Sequence, residues 1–187
     1  AEIWRTKQLQ YTWLRSLMKR HVEFWQLTTD ALDYALDTVE VSDAALRQKL
    51  LDLYLQLDAY DEVTEVLTAL KDGGLKTAIL SNGSPDMLAS AVSSAGLDKL
   101  LDATLSVEDV GIYKPAPSVY QMALDHFSIS APEVSFQSSN AWDAAGAATF
   151  GFRVVWVNRF GQAPERLPDQ PDIELTSLSD LPSIVGV

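Results

Sequence analysis

From about residue 75 onward the chain alternates short apolar segments with helical stretches, and that alternation limits its fold more than any other feature. Segments 76–80, 104–107, 134–137 and 153–157 read as strands, and 173–181 supplies one more short strand. Between them, residues 86–95, 115–127 and 144–150 carry helical patterning, the second opened by Pro115 at a first-turn position. Strands separated by helices of this kind build βαβ units and a parallel sheet. Residues 162–171 are loop-like, and no internal repeat or low-complexity tract occurs.

The first sixty residues have a different character. Ile3, Leu9, Trp13, Leu14 and Leu17 recur at a broken spacing of three to four, continued by Phe24, Leu27, Leu32, Leu36 and Val39. Ser42 is placed to cap a helix running to Leu57. Asp61 is placed to cap another, with Val63, Val66, Leu67 and Leu70 apolar and Gly73-Gly74 ending it. The chain therefore divides into a helical layer, 1–59, and an α/β layer, 60–187. A length of 187 residues with 47% hydrophobic and 21% charged residues suits one domain, or one domain with a small cap.

A net charge of −12 argues against nucleic acid and anionic membrane as partners. It leaves room for a small anionic substrate held by local cations. The absence of cysteine excludes a disulfide framework and thiol chemistry. With no membrane-length apolar run and no signal peptide pattern, a cytoplasmic enzyme is expected. Ala1 already lies within a helical pattern, so the natural protein is expected to begin upstream.

Three clusters carry chemistry. Ser138-Ser139-Asn140-Ala141-Trp142-Asp143 joins a strand end to a helix start, where open α/β sheets bind ligands. It offers one acid, Asp143, among neutral polar groups. Magnesium, which favours an octahedral set of hard oxygens, is poorly served by it. Ser81-Asn82-Gly83-Ser84 also follows a strand, and its hydroxyl, amide and backbone N–H groups can hold a carboxylate. As an isolated string it equally suits an ordinary polar turn. In Tyr113-Lys114-Pro115, with Tyr120 on the next helix, Lys114 can stand over a site as a fixed positive charge; alone it would be a solvated lysine. His21 and His126, lacking ligand-like companions, are structural or solvated, and the acidic runs 30–37 and 58–65 read as solvated helix faces.

These clusters, together with Trp4-Arg5-x-Lys7-Gln8-Leu9-Gln10-Tyr11-x-Trp13-Leu14-Arg15, resemble the motifs of the haloacid dehalogenase superfamily. Within it the chain is most similar to the (S)-2-haloacid dehalogenases, whose fourth motif lacks the paired magnesium-binding acids. The resemblance implies a Rossmann-like, three-layer parallel-sheet core with a helical cap inserted after the first strand. It implies a nucleophilic aspartate at the end of that central strand. Nothing in the sequence matches its Asp-x-Tyr-Gly-Thr-like motif, so the aspartate is expected upstream of Ala1 and the 187-residue chain alone is expected to be inactive. With the central strand outside the sequence, segments 76–80 and 134–137 are expected not to pair directly.

By the same resemblance Arg5 receives the departing halide, with Asn82 assisting, while Ser81 and nearby N–H groups bind the substrate carboxylate. Lys114 stabilises the nucleophile's charge, Asp143 and Tyr120 fix the constellation, and Ser138 and Asn140 position groups around the nucleophile and hydrolytic water. Trp13, Phe24 and Trp142 are candidates for the apolar wall of the substrate pocket. The expected partner is a small 2-haloacid, with no metal or other cofactor and no nucleic-acid or membrane partner; the resemblance allows a homodimer. Two rivals are a magnesium-dependent phosphatase of the same fold and a truncated, non-catalytic relative acting as a binding protein.

Overall fold

A computed structural model describes all 187 residues. In chain order it contains α1 (Glu2–Leu17), α2 (Phe24–Thr38), α3 (Ala44–Tyr54), α4 (Val63–Asp72), β1 (Ala78–Ser81), α5 (Pro85–Ser94) and β2 (Ala103–Ser106). Then follow a 3-10 turn (Val107–Asp109), α6 (Pro117–Phe127), a second 3-10 turn (Ala131–Glu133), β3 (Ser135–Ser138), α7 (Ala141–Phe150), β4 (Arg153–Val157), β5 (Ile173–Leu175) and α8 (Leu181–Val185). The helical beginning and the later strand–helix alternation are both present. No helix is long and apolar enough to cross a membrane.

The chain forms two compact units. The first comprises Ala1–Asp58, Ser81–Asp98 and Ser106–Tyr113. Here α1 packs against α2 through a polar seam, since its only fully buried side chains are Gln8 and Thr12. Gln8 donates to the Thr28 hydroxyl at 2.9 Å and the Tyr54 hydroxyl at 2.8 Å, satisfying an amide that burial would otherwise penalise. The cap of α3 is Asp43 rather than Ser42, because its carboxylate accepts from both the Ala45 and Leu46 N–H groups. This helix stops at Tyr54, short of Leu57: the carbonyls of Leu55 and Leu57 are taken by the Ser90 and Ser94 hydroxyls of α5.

The second unit comprises Ala59–Leu80, Lys99–Leu105 and Lys114–Val187. Strands β3, β4 and β5 form a parallel sheet in which Ser138 lies opposite Trp156 and Val157 opposite Leu175. Successive β4 residues face opposite ways. Val154 and Trp156 join Tyr120, Ala144, Ala147 and Phe152 on one face, whereas Val155 and Val157 join Val66, Leu70 and Leu181 on the other. Burial on both faces explains why this strand is a continuous apolar run. Strand β1 pairs with β2 in a separate sheet, so no ladder joins it to β3, as the sequence reading expects.

Several boundaries differ from those read in the sequence. Helix α6 starts at Pro117, not Pro115, because a residue preceding proline is held out of the helical region; Ala116 is extended at φ −60°, ψ 132°. Helix α4 follows Glu62, not Asp61, and Glu62 is no mere solvated acid. It pairs with Arg159 and accepts the Leu178 N–H, and the guanidinium holds its carboxyl below the ordinary range. Residues 173–181 hold a three-residue strand followed by the start of a helix rather than one strand.

Candidate active site

In the second unit, three side chains named from the sequence, Lys114, Tyr120 and Ser138, converge on the carboxylate of a fourth, Asp143. Helix α7 begins after Asn140, placing Asp143 in its first turn, where the aligned peptide dipoles favour negative charge. Asp143 is only 4% exposed. Its Oδ2 accepts from Lys114 Nζ at 3.0 Å and from the Ser138 hydroxyl at 3.0 Å, and its Oδ1 accepts from the Tyr120 hydroxyl at 2.8 Å. The Ser138 oxygen in turn accepts the Asn140 N–H at 3.1 Å, tying the strand end to the helix start. Lys114, 6% exposed, also lies over the Phe136 ring, 4.8 Å from its centroid. Burial, then the Asp143 charge, pushes the Tyr120 phenol above its ordinary value, so it remains a proton donor.

The donor set has a definite chemical meaning. One buried carboxylate receives an ammonium and two hydroxyl protons, so its charge is already matched from within the protein. No group of three or more His, Asp or Glu side chains is arranged around it for a cation. Trp142, beside Asp143 on α7, is half-buried.

Gly146 escaped the sequence reading. A Cβ there would come within 2.7 Å of both Pro115 Cβ and the Tyr120 hydroxyl oxygen, so its bare backbone lets α7 approach the Lys114–Tyr120 segment. The only sequence signal is a glycine within a helix otherwise rich in alanine. Gly146→Ala should lower stability by about 1–3 kcal/mol through overpacking. Helix propensity alone would raise it by about 1 kcal/mol. The sign of the shift in urea unfolding distinguishes the two.

The first unit holds the remaining candidates. Ser81 ends β1, its oxygen accepting the Gly83 N–H at 3.0 Å in a tight turn that includes Asn82 and leads into α5. Arg5 is exposed on α1, and its guanidinium donates to the Gln8 amide oxygen at 3.3 Å. Gln8 itself is 1% exposed and held by Thr28 and Tyr54, so Arg5 is oriented by a fixed amide. Gln8 was missed because an isolated glutamine on a helix looks solvated. Trp13 is half-buried, and Phe24 is core, 6.0 Å from Tyr113 between ring centroids. His21 has a structural partner, its Nε2 lying 2.7 Å from Glu108 Oε2, whereas His126 is exposed.

Known proteins resemble this chain in sequence and fold. The haloacid dehalogenase-like hydrolase profile matches residues 4–151. The chain is 45% identical over 186 residues to (S)-2-haloacid dehalogenase 1 of Pseudomonas sp. strain CBS-3, covering 99% of this chain and 82% of that protein. It is 48% identical over 179 residues to the (S)-2-haloacid dehalogenase of Pseudomonas sp. strain YL, covering 95% and 77%. A solved structure of L-2-haloacid dehalogenase from Xanthobacter autotrophicus with chloropropionic acid covalently bound superposes with a TM-score of 0.90 at 36% identity, covering 98% and 84%. With 36–48% identity sustained over nearly its whole length and a matching fold, the chain belongs to the haloacid dehalogenase-like hydrolases, within the (S)-2-haloacid dehalogenase family.

Proposed function

We propose that this protein hydrolyses small (S)-2-haloalkanoic acids to (R)-2-hydroxy acids without a metal ion. The observation carrying this reading is the donor set on Asp143: a lysine, a serine and a tyrosine engage both oxygens of the one acid that this chain brings to the site. A magnesium-dependent phosphatase needs carboxylate oxygens turned toward the metal and substrate phosphate. Here both oxygens of the one acid face internal donors.

The nucleophile is the aspartate that the sequence reading expects upstream of Ala1. Its carboxylate attacks C2, a C–O bond forms as the C–halogen bond breaks, and halide leaves with the bonding electrons, inverting C2. Water then adds to the aspartyl ester's carboxyl carbon. The alkoxide departs and takes a proton as the 2-hydroxy acid, and the carboxylate is regenerated. The sum is haloacid plus water giving hydroxy acid, halide and a proton.

This chain's residues assist at four points. Lys114, locked by Asp143, supplies positive charge to the attacking carboxylate, and Tyr120 and Ser138 hold the Asp143 side chain in place so that the lysine stays aligned. Ser138 and Asn140 orient groups around the nucleophile and water. Ser81 and neighbouring N–H groups hold the substrate carboxylate. Arg5, with Asn82, receives the halide as a permanently protonated, multi-donor cation, and Trp13, Phe24 and Trp142 supply apolar wall. Residues 1–59 act as the cap and 60–187 as the core. The working protein is placed in the cytoplasm, free or as a homodimer, with no nucleic-acid partner.

The test uses the full-length protein, upstream strand included. Halide release from (S)-2-chloropropionate should continue undiminished in excess EDTA. Activity that disappears with EDTA and returns with Mg²⁺ would overturn the metal-free reading. Full-length protein that binds haloacid without releasing halide would favour a non-catalytic relative.

A further inference from the structure

We infer that Ser106 is a positioning residue for the carboxylate-binding turn, aiming the Ser81 hydroxyl through Gly83; this rests on the proposed role of Ser81. Ser106 closes β2 and is 4% exposed. Its hydroxyl donates to the Gly83 carbonyl at 2.7 Å and accepts the Glu108 N–H at 3.2 Å. A carbonyl cannot donate, so the single Ser106 proton must point at Gly83. The Gly83 N–H, on the other side of the same residue, donates to Ser81 Oγ. Gly83 is therefore held through both of its peptide units, by Ser106 at the carbonyl and by Ser81 at the N–H, which fixes the turn that carries Ser81. The Gly83 N–H occupies a lone pair of Ser81 Oγ, which leaves the proton of that hydroxyl to be given to an acceptor such as a bound carboxylate. A hydroxyl held in this sense suits an anionic oxygen, to which it gives a charge-assisted hydrogen bond.

The far end of the chain is equally anchored. The Glu108 carboxylate takes His21 Nε2 at 2.7 Å and the Phe24 N–H at 2.9 Å, fixing the 3-10 turn to the connection between α1 and α2. The N–H that Glu108 offers Ser106 is therefore immobile. A serine that merely satisfied a buried strand end would contribute stability alone. One that sets the direction of Ser81 would contribute to substrate binding as well.

The experiment measures KM, kcat and Tm for the full-length enzyme with (S)-2-chloropropionate. Ser106→Ala and Ser106→Cys should each raise KM by about tenfold, the worth of one charge-assisted hydrogen bond, with kcat within about threefold. Ser106→Thr, which keeps the hydroxyl, should restore KM. In the Ser81→Ala background, Ser106→Ala should raise KM no further, because the two act through one contact. KM unchanged in Ser106→Ala and Ser106→Cys but raised in Ser81→Ala would overturn the positioning role and leave Ser81 intact. KM unchanged in Ser81→Ala would overturn the underlying assignment, and the inference with it. The three-variant series also separates folding from aim, since KM should follow the hydroxyl and not Tm.

Discussion

Lys114→Met is expected to cost the folded protein about 3–5 kcal/mol, because it leaves the buried Asp143 carboxylate without its counter-ion. Methionine keeps much of the length and apolar stem, so the loss isolates the charge from the packing. Against a total stability of about 5–15 kcal/mol, that is a large fraction. The vacated Nζ position also lies over Phe136, and the attraction of that ring for a cation is lost as well. Turnover in the full-length enzyme should fall by about a hundredfold to a thousandfold, the range seen on removing one well-aimed electrostatic donor. Adding Asp143→Asn to Lys114→Met should recover part of the stability, since the unpaired charge is gone, but none of the turnover. Urea unfolding measures the first quantity and halide release the second. A single variant with wild-type stability would mean that the Lys114–Asp143 pair contributes nothing net. A single variant with wild-type turnover would remove Lys114 from the mechanism.

Arg5→Lys in the full-length enzyme should lower kcat/KM by about a hundredfold or more while leaving the unfolding midpoint nearly unchanged. Arg5 is exposed, and lysine keeps the charge and much of the apolar stem, so the expected loss is chemical. Its guanidinium is set by the Gln8 amide oxygen, and Gln8 is fixed by two hydrogen bonds of its own. A planar fork fixed by that amide keeps its N–H groups in a defined direction. An ammonium on a flexible stem is a point charge without that fork. Gln8→Ala should weaken activity in the same sense but less severely, by releasing the guanidinium rather than removing it. Near-normal turnover in Arg5→Lys would show that the residue only decorates the α1 surface.

The alternation of strand and helix, the helical first layer and the chemistry at strand ends were legible in the sequence because they depend on near neighbours. The apolar run 154–157 reads directly as a strand, and a Ser-Ser-Asn sequence before Asp143 cannot supply the acids that a magnesium site needs. Element boundaries were less legible where two signals compete within a few residues. Pro115 and Pro117 both resemble helix openers, and the constraint on Ala116 settles between them. Ser42 and Asp43 both resemble caps, and only the carboxylate of Asp43 reaches two N–H groups.

Tertiary structure alone decided which groups meet. Lys114 and Asp143 are 29 residues apart, and their names on a motif list do not say that Lys114, Tyr120 and Ser138 share one carboxylate. The sequence likewise carries no mark that Gln8 is buried, or that the missing side chain of Gly146 makes room for Tyr120. The physical reason is the same in each case. Spacing along a helix or strand determines the face on which a residue lies, whereas a hydrogen bond at 3 Å or a clash at 2.7 Å depends on what another element brings to that face.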